Sequence, residues 1–460
     1  MPLQNTPIDR IPAIVAAQRT YFQSEVTLDY DFRLRMLDTL EVALRRWEEP
    51  LYQALRHDLR KSREEAYMTE LSIVLSELRS HRRHLKRWMR PTRRPTPLKM
   101  APACSRILHE PLGVALIIAP WNYPVQLLLN PLIGAISAGC TAVLKPSPYV
   151  PHVASVIEQM LRDSFDEGYI TVIQGDRTVN TALLAERYDR IFFTGSPALG
   201  KVVMEAAAKH LTPVILELGG KSPCIIDQTA HLPIAAKRVA WGKCLNAGQT
   251  CIAPDYLLIH REVVEPFIEA YRCALRELLG NDPQQSPHLV RMVNQQAFDR
   301  VSSYLNEGRI RVGGHTDRAD RYIEPTLLDE VSPEAKVMQE EIFGPILPIL
   351  PYSTLDEAIN FVRQREKPLA LYFFGSNERG QEVLRRTTSG GACLNDVIMQ
   401  IANERLPFGG VGNSGMGAYH GYESFRCFSH ERAVVRAPKR FDLPFRYMPY
   451  ALFKWFKGLL

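Results

Sequence analysis

The chain has 460 residues, of which 46% are hydrophobic and 23% charged, a composition typical of folded globular proteins. This composition excludes a disordered, collagen-like or coiled-coil chain, and the length predicts two or three domains with a large core. The formal net charge is +6, and the surplus lies in residues 1–110, because 111–460 hold equal numbers of acidic and basic residues. Since 79–106 contains ten basic residues and no acidic one, any nucleic-acid or membrane partner inferred from charge would bind there.

The eight cysteines show neither a zinc pattern nor a disulfide pattern, because no pair has the C-x-x-C spacing. We therefore predict reduced thiols and no metal site. The N-terminus lacks a basic-then-apolar signal sequence, which favours a cytoplasmic location. The uncharged run 111–144 is long enough for a membrane span, but prolines and asparagines interrupt it, so we expect a buried strand–helix–strand unit.

The predicted elements follow one another in a simple order. Residues 8–90 show apolar side chains at helical spacing and predict a helical N-terminal region. The proline-rich segment 90–97 cannot be helical and predicts an extended arm. Short apolar strands then alternate with helices over 114–216, and the alternation restarts after Gly219-Gly220. Strands alternating with helices predict doubly wound parallel sheets.

A glycine turn follows the predicted strand that ends at Phe193. This turn, Thr194–Lys201, precedes a helix, whose N-terminal N–H groups can bind a phosphate. It begins like a Walker A loop, but Val202 stands where the Mg²⁺-binding Ser or Thr would be. The G-x-G-x-x-G fingerprint is also absent, so an ordinary tight turn remains the alternative.

Three polar side chains stand out as candidates for chemistry. Cys251 follows the small residues of the loop 246–250, which leave its sulfur accessible, although a packed cysteine is the alternative. Glu217 ends an apolar strand, where α/β sheets hold their ligands, and it can act as a general base or cap the next turn. Asn122 also follows a strand and can donate to an oxyanion or cap a helix.

Six motifs occur in the order and spacing of the aldehyde dehydrogenases, and the resemblance runs from about residue 10 to residue 440. They are Pro120-Trp-Asn-Tyr-Pro124, Lys145-Pro-Ser, Phe193-Thr-Gly-Ser196, Glu217-Leu-Gly-Gly-Lys-Ser-Pro223, Gly248-Gln-Thr-Cys251 and Glu341-Ile-Phe-Gly-Pro345. The segment Asn395-Asp-Val-Ile and the glycine-rich segment 407–417 resemble the class 3 branch, which includes fatty, aromatic and coniferyl aldehyde dehydrogenases.

The resemblance implies an α/β fold with two doubly wound Rossmann-type domains and a bridging oligomerisation arm. The implied boundaries are 1–90 and 109–214 for the NAD(P)-binding domain, 215–420 for the catalytic domain, and 91–108 and 421–440 for the bridging element. The bridging element implies a homodimer, so the basic segment is expected at a dimer edge or in solvent, with no nucleic acid bound.

The last twenty residues, 441–460, form an apolar tail with seven aromatic side chains. The tail is too short to span a bilayer. We expect it to dock on a partner subunit or over the substrate entrance, to make a peripheral membrane contact, or to remain flexible.

The resemblance also implies oxidation of an apolar or aromatic aldehyde to the carboxylic acid with NAD or NADP. Cys251 attacks the carbonyl as thiolate, Asn122 and the Cys251 backbone N–H hold the oxyanion, and Glu217 activates water to hydrolyse the thioester. Tyr67 and Trp241 match aromatic positions near the aldehyde pocket, with core packing as the alternative. The implied cofactor-binding residues are Lys145, Thr194, Gly195, Ser196, Gly200, Leu218, Gly219, Glu341 and Phe343.

One position departs from the family pattern. Many relatives carry Glu three residues after the lysine, where it binds the ribose 2′-hydroxyl, and this chain has Pro148 there. The carboxylate that would repel a 2′-phosphate is missing, so we predict that NADP is accepted as well as NAD.

Three other functions remain open. A CoA-acylating dehydrogenase would pass the acyl group to CoA, although Glu217 favours water. A thiol hydrolase or acyltransferase would use Cys251 without a nucleotide and needs a nearby base, usually histidine. No histidine lies between His231 and His260. The intact set of Cys251, Glu217 and Asn122 disfavours a silent scaffold or membrane-binding protein.

Overall fold

The computed structural model describes residues 5–442 and 447–450, Lys454 and Lys457. The predicted apolar tail, 441–460, therefore lies mostly outside the described residues, and its docking stays a prediction.

The N-terminal region is helical, as predicted. Its helices are α1 (Ile11–Gln23), α2 (Tyr30–Arg46), α3 (Glu48–Leu59), α4 (Arg63–Ala66) and α5 (Ser72–Trp88). Between α4 and α5 the chain makes one π-helical turn over Tyr67–Leu71. Isolated π-turns occur often at functional sites.

The chain then builds a first set of strands and helices. These are β1 (Thr92–Arg94), β2 (Cys104–Pro111), β3 (Val114–Ile118), α6 (Gln126–Ala138), β4 (Thr141–Lys145), α7 (Pro151–Arg162), β5 (Ile170–Val172), α8 (Arg177–Ala185), β6 (Arg190–Gly195), α9 (Pro197–Ala208) and β7 (Val214–Leu218). The uncharged run predicted as a buried unit forms β3, α6 and β4, and every residue of these three elements is buried.

A second set follows and ends in a return to the first. Its elements are β8 (Pro223–Ile226), α10 (Leu232–Cys244), β9 (Tyr256–His260), α11 (Val264–Leu279), α12 (Gln295–Ser303), β10 (Arg309–Val312), β11 (Thr316–Asp317), β12 (Tyr322–Ile323), β13 (Thr326–Asp329), α13 (Lys336–Gln339), β14 (Ile346–Tyr352), α14 (Leu355–Arg363), β15 (Ala370–Phe374), α15 (Asn377–Arg386), β16 (Gly391–Leu394), β17 (Gly415–Met416), α16 (Tyr422–Cys427) and β18 (Ser429–Arg436).

These strands form the two mainly parallel sheets that the sequence predicts. The first sheet has the order β17-β7-β6-β3-β4-β5, in which β17 is antiparallel to β7. The second has the order β10-β13-β14-β9-β8-β15-β16, in which β10 is antiparallel to β13. Helices connect the parallel strands of each sheet, so the α/β class is confirmed.

The chain changes from the first sheet to the second between β7 and β8, and the predicted domain boundary at 214/215 stays a prediction. β7 pairs in parallel with β6 and places Glu217 opposite Thr194, so the first sheet extends to Leu218. The strand β17 later returns to this sheet and places Gly415 opposite Glu217. Glu217 therefore lies between two strands of the first sheet.

The predicted extended arm is also present. β1, β2 and β18 form a separate three-stranded antiparallel sheet, with β2 in the centre. None of the described helices is both long and apolar enough to cross a membrane.

The end of α6 illustrates how tightly the core is packed. Gly139 follows the helix with φ of +90°, and a Cβ added there would lie 2.6 Å from the Arg33 guanidinium carbon. The Arg33 side chain is buried and donates hydrogen bonds to the carbonyls of Thr27 and Ser137. Gly280 follows α11 with φ of +83°, and nothing lies within 4 Å of an added Cβ.

We expect Gly139→Ala to destabilise the protein more than Gly280→Ala. Both changes hold alanine at a positive φ, with ψ of 24° at Gly139 and −168° at Gly280, and such sparsely populated conformations cost about 1–3 kcal/mol. Only Gly139→Ala also displaces buried Arg33, and such overpacking adds about 1–3 kcal/mol. Urea unfolding of the two variants measures the difference, and equal losses would refute the proposed role of Arg33.

Candidate active site

A cavity of about 260 Å³ brings together Cys251, Glu217 and Thr194 from different parts of the chain. Most of its wall is hydrocarbon, contributed by Met68, Ile73, Leu127, Trp241, Leu245, Ile252, Leu369, Ile398, Met399, Ile401, Ala402, Phe408 and Tyr419. Apolar walls around a few convergent polar groups are typical of small-molecule sites.

The loop that carries Cys251 is shaped by three successive left-handed residues. Asn246, Ala247 and Gly248 have φ values of +50°, +50° and +71°. A Cβ at Gly248 would collide with the Gly344 carbonyl oxygen. The sharp turn therefore needs glycine at this position, and it brings half-buried Cys251 to the cavity wall.

Asn122 is held against this loop by amide hydrogen bonds. Its Nδ2 donates to the Gln249 carbonyl at 3.0 Å, and Asn246 Nδ2 donates to the Asn122 carbonyl at 2.9 Å. Because an amide nitrogen carries two hydrogens, one N–H of Asn122 remains for another acceptor. Asn122 is buried and does not itself line the cavity, whereas its neighbour Tyr123 does.

Burial controls the protonation of Glu217 and Cys251 at the cavity. Both oxygens of the buried Glu217 carboxyl lack a hydrogen-bond partner among the described residues, and burial raises its pKa well above the ordinary value. Burial also raises the pKa of the Cys251 thiol, and the nearby charges of Glu341 and Glu217 raise it further. The site therefore favours neutral forms of both groups before a ligand or base changes their surroundings.

A second cavity, of about 630 Å³, is lined mainly by residues that follow Leu218 in the chain. Leu218 lines the first cavity and the next residue, Gly219, lines the second together with Pro197 and Glu341. A Cβ at Gly219 would collide with the Glu341 carboxylate, so glycine is required for this close approach. Burial, with a contribution from the charge of Asp255, raises the pKa of Glu341 to about 8.

The glycine turn predicted to bind phosphate lies at the start of α9. Thr194 and Gly195 end β6, and the Ser196 hydroxyl accepts a hydrogen bond from the Leu199 N–H at 3.4 Å as the N-cap. The Thr194 hydroxyl is buried without a partner among the described residues. A Cβ at Gly200 would lie 2.8 Å from a Leu218 methyl, so Gly200 lets the helix approach β7.

Two further predicted cofactor residues flank this region. Lys145 ends β4, its side chain is buried, and its Nζ donates to the Pro146 carbonyl at 2.8 Å. Burial lowers the pKa of Lys145 to about 8. The Phe343 ring lies against Trp121 edge-on, with 5.4 Å between ring centroids. A strand end, a helix N-terminus and an adjoining cavity form an arrangement that can hold a dinucleotide.

The two predicted aromatic pocket residues behave differently. Trp241 lines the catalytic cavity as predicted. Tyr67 is 45% exposed and is not among the lining residues, whereas Met68 and Thr69 are. The pocket role of Tyr67 stays a prediction, and the π-turn Tyr67–Leu71 brings its two successors to the cavity wall.

Several polar groups that hold the Asn122 turn and the Cys251 loop were not predicted from the sequence. Asn246, Gln249 and the buried ion pair of Lys61 and Glu70 all contact the Asn122 turn or the Cys251 loop. Only Asn246 and Gln249 lie near a motif, and nothing in the N-terminal helical pattern distinguishes Lys61 or Glu70 from surface charges.

Comparison with known proteins places this site in a family. Residues 4–434 match the model of the aldehyde dehydrogenase family. The chain is 46% identical to 4,4'-diaponeurosporen-aldehyde dehydrogenase of Staphylococcus aureus over 96% of this chain and 97% of that protein. It is 47% identical to human aldehyde dehydrogenase family 3 member B1 over 91% of this chain and 90% of that one.

Two more comparisons agree with this assignment. A mouse protein named "aldehyde dehydrogenase, dimeric NADP-preferring" is 43% identical over 93% of this chain and 95% of its own. The solved structure of the substrate-bound state of Staphylococcus aureus AldH superposes with a TM-score of 0.96 at 46% identity, covering 97% of this chain and 99% of that one.

The chain belongs to the aldehyde dehydrogenase family. It is an oxidoreductase that oxidises aldehydes, and its relatives include members of family 3, as the class 3 resemblance implies.

We expect Glu217→Gln to change how thermal stability depends on pH. The raised pKa of Glu217 means that its neutral form stabilises the fold below the ordinary carboxyl pKa, and that this stability is lost as pH rises towards the folded pKa. Glutamine does not titrate, so the Tm of the variant relative to wild type should increase between about pH 5 and pH 8.

Differential scanning fluorimetry across this range makes the measurement. The matched control is Glu378→Gln, which removes a charge from an exposed carboxyl. A Tm difference for Glu217→Gln that does not vary with pH would contradict the buried, neutral state of this group.

Proposed function

We propose that the enzyme oxidises apolar aldehydes, aliphatic or aromatic, to carboxylic acids with NAD or NADP, through a thiohemiacetal and a thioester on Cys251. The observation that carries the proposal is that Cys251 and an unpartnered buried carboxyl, Glu217, line one cavity with apolar walls. The overall balance consumes the aldehyde, oxidised cofactor and water, and yields the acid, reduced cofactor and a proton.

In the first step the Cys251 sulfur forms a bond to the aldehyde carbon and its thiol proton leaves. The raised pKa of the Cys251 thiol requires a base for this proton, and the Glu217 carboxyl at the same cavity can take it in its ionised form. The carbonyl oxygen becomes an oxyanion, for which the free Asn122 amide N–H and the Cys251 backbone N–H are the donors. Each such donor is worth about 100- to 1000-fold in rate.

The residues of the second cavity fit a dinucleotide. Ser196 caps a helix whose N-terminus can hold a phosphate, Glu341 can accept from ribose hydroxyls, and Gly219 leaves room beside it. When bound, NAD(P) supplies the hydride acceptor that turns the thiohemiacetal into a thioester. Leu218 lines the first cavity and Gly219 the second, and this proximity in the chain supports transfer between them.

Glu217 next releases the thiol proton to solvent, which is the proton of the overall balance, and as the carboxylate it then acts on water. A carboxylate with raised pKa is a stronger base than an exposed one, so it can remove a proton from water as the oxygen attacks the thioester carbon. The carbon–sulfur bond breaks, the acid leaves, and the Cys251 thiolate takes the proton from Glu217, which restores the thiol and the carboxylate.

The cavity wall supports the substrate class. Met68, Ile73, Leu127 and Trp241 present hydrocarbon or ring surface. No Lys, Arg or His is found among the described residues that line it. Burial of an apolar substituent there is favourable by about 25 cal/mol per Å², whereas a charged substituent would lose its hydration without a partner.

We also propose that the enzyme is a homodimer joined through the three-stranded sheet of β1, β2 and β18. This sheet is separate from both core sheets, and β18 has mostly exposed side chains, including Val435 at 52%. An unpaired sheet edge is a natural surface for association with a second chain.

We expect Cys251→Ala to abolish aldehyde-dependent formation of reduced cofactor, by about a thousandfold or more. The matched control is Cys244→Ala, which removes a buried thiol of α10 that does not line the cavity, and it should keep most activity. Product analysis with and without CoA should show the free acid in both cases. Acyl-CoA as the product, or an active Cys251→Ala variant, would overturn the proposed reaction.

We expect wild-type kcat/KM for NADP to be within about a thousandfold of that for NAD, which corresponds to roughly 4 kcal/mol. Pro148 offers no carboxylate to repel a 2′-phosphate. The variant Pro148→Glu restores one and should raise the ratio of kcat/KM for NAD over NADP by about tenfold or more. A ratio unchanged by the substitution would show that Pro148 does not set cofactor choice.

A further inference from the structure

A fully buried ion pair lies directly behind the active site. Lys61 Nζ and Glu70 Oε1 are 2.8 Å apart, and both side chains are 0% exposed. A buried ion pair loses its hydration on folding, and replacing it by apolar groups often leaves stability unchanged or higher. Stability alone therefore does not explain this pair.

The pair holds both ends of the segment that contains Asn122. Lys61 Nζ donates to the Asn122 carbonyl at 3.3 Å. Glu70 Oε2 accepts from the backbone N–H groups of Val125 and Gln126, each at 3.0 Å. The cation and the anion thus fix the turn after β3 at its start and at its end.

Glu70 supplies a cap that α6 lacks in its own sequence. The N-cap residue, Val125, has no side chain that can accept a hydrogen bond. The first N–H groups of a helix need acceptors, and a negative charge near them is stabilised by the helix dipole. The Glu70 carboxylate provides both from a different helical segment.

Local backbone features bring the two charges to this place. Arg60 ends α3 in a left-handed conformation with φ of +58°, which turns the chain just before Lys61. Glu70 lies in the π-turn Tyr67–Leu71, the same turn that places Met68 and Thr69 at the catalytic cavity. The π-turn therefore positions both the wall residues Met68 and Thr69 and the carboxylate of Glu70.

We propose that Lys61 and Glu70 are positioning residues, which fix the Asn122 turn so that its free amide N–H is aimed at the oxyanion formed on the aldehyde. The inference rests on the oxyanion role proposed for Asn122. Hydrogen-bond donors accelerate the reaction because they are already oriented towards the oxyanion before it forms. A displacement of about 1 Å can lower the rate by about 100-fold.

The test is a double-mutant cycle of Glu70→Gln and Asn122→Ala. In the wild-type protein the two carboxylate oxygens of Glu70 accept hydrogen bonds from three donors, Lys61 Nζ and the N–H groups of Val125 and Gln126. Glutamine has only one oxygen, so its N–H₂ group must face at least one of these donors and that hydrogen bond is lost. The readout is the single-turnover rate of reduced-cofactor formation, together with KM for the aldehyde.

We expect Glu70→Gln to lower the single-turnover rate by about 10- to 100-fold. KM should change by less than about threefold. Asn122→Ala should lower the rate by about 100- to 1000-fold. In the double variant, Glu70→Gln should lower the rate by less than about threefold beyond Asn122→Ala, because the group it positions is gone. Two independent losses that simply multiply would overturn the inference.

A second variant separates the two contacts. Lys61→Met removes the hydrogen bond to the Asn122 carbonyl and keeps the contact of the Glu70 carboxylate with α6. If Glu70→Gln does not fold, Lys61→Met replaces it in the double-mutant cycle with Asn122→Ala. The matched control is Asp227→Asn, which alters a buried carboxylate that pairs with Arg379 and accepts from the Thr229 N–H. It should lower Tm and leave the single-turnover rate unchanged.

The cycle also distinguishes this inference from the proposed function. An Asn122→Ala variant with full activity would refute the oxyanion role itself. A slow Asn122→Ala variant with an additive Glu70→Gln effect would refute only the positioning role.

Discussion

Two amide hydrogen bonds join the two halves of the catalytic machinery. Asn246 donates to the Asn122 carbonyl, and the Asn122 side chain donates to the Gln249 carbonyl. The Asn122 turn leaves β3 of the first sheet, whereas the Cys251 loop follows α10, which connects strands of the second. Cys251, the proposed nucleophile, and Asn122, the proposed oxyanion donor, therefore keep their geometry only if the two sheets keep their relative positions. The buried bonds between turn and loop help to fix these positions. The left-handed residues shape the Cys251 loop, and the Lys61–Glu70 ion pair contacts the Asn122 turn.

Burial of Glu217 and Cys251 at an apolar cavity costs stability and changes the acid–base properties of both groups. Burial leaves the Glu217 carboxyl without a partner and raises its pKa, which makes it a stronger base once it ionises. The same burial raises the pKa of the Cys251 thiol and opposes formation of the nucleophile. The two effects are compatible if the proton lost from sulfur stays close to the carboxylate. A single proton shared by two buried acids avoids two neighbouring negative charges in an apolar space.

The sequence predicted the parts of this site that strand ends position. Hydrophobic runs located β3 and β7, near whose carboxyl ends Asn122 and Glu217 lie. The contacts that hold the Asn122 turn come from distant residues and follow no sequence pattern. A constant helical period could not find the π-turn, which brings Met68 and Thr69 to the cavity wall. Lys61 and Glu70 look like surface charges until the tertiary structure buries them.

In the proposed reaction, the apolar wall that favours the aldehyde disfavours the acid. An aldehyde enters uncharged, whereas the product becomes a carboxylate beside the Glu217 carboxyl and the Cys251 sulfur. None of the described lining residues is a cation, so the carboxylate has no positive partner in the cavity in place of the water that hydrates it in solution. Repulsion from an ionised Glu217 or a Cys251 thiolate adds to this cost. Hydrolysis thus converts a ligand that the cavity stabilises into one that it expels, and release of the acid follows from the electrostatics that make Glu217 a base.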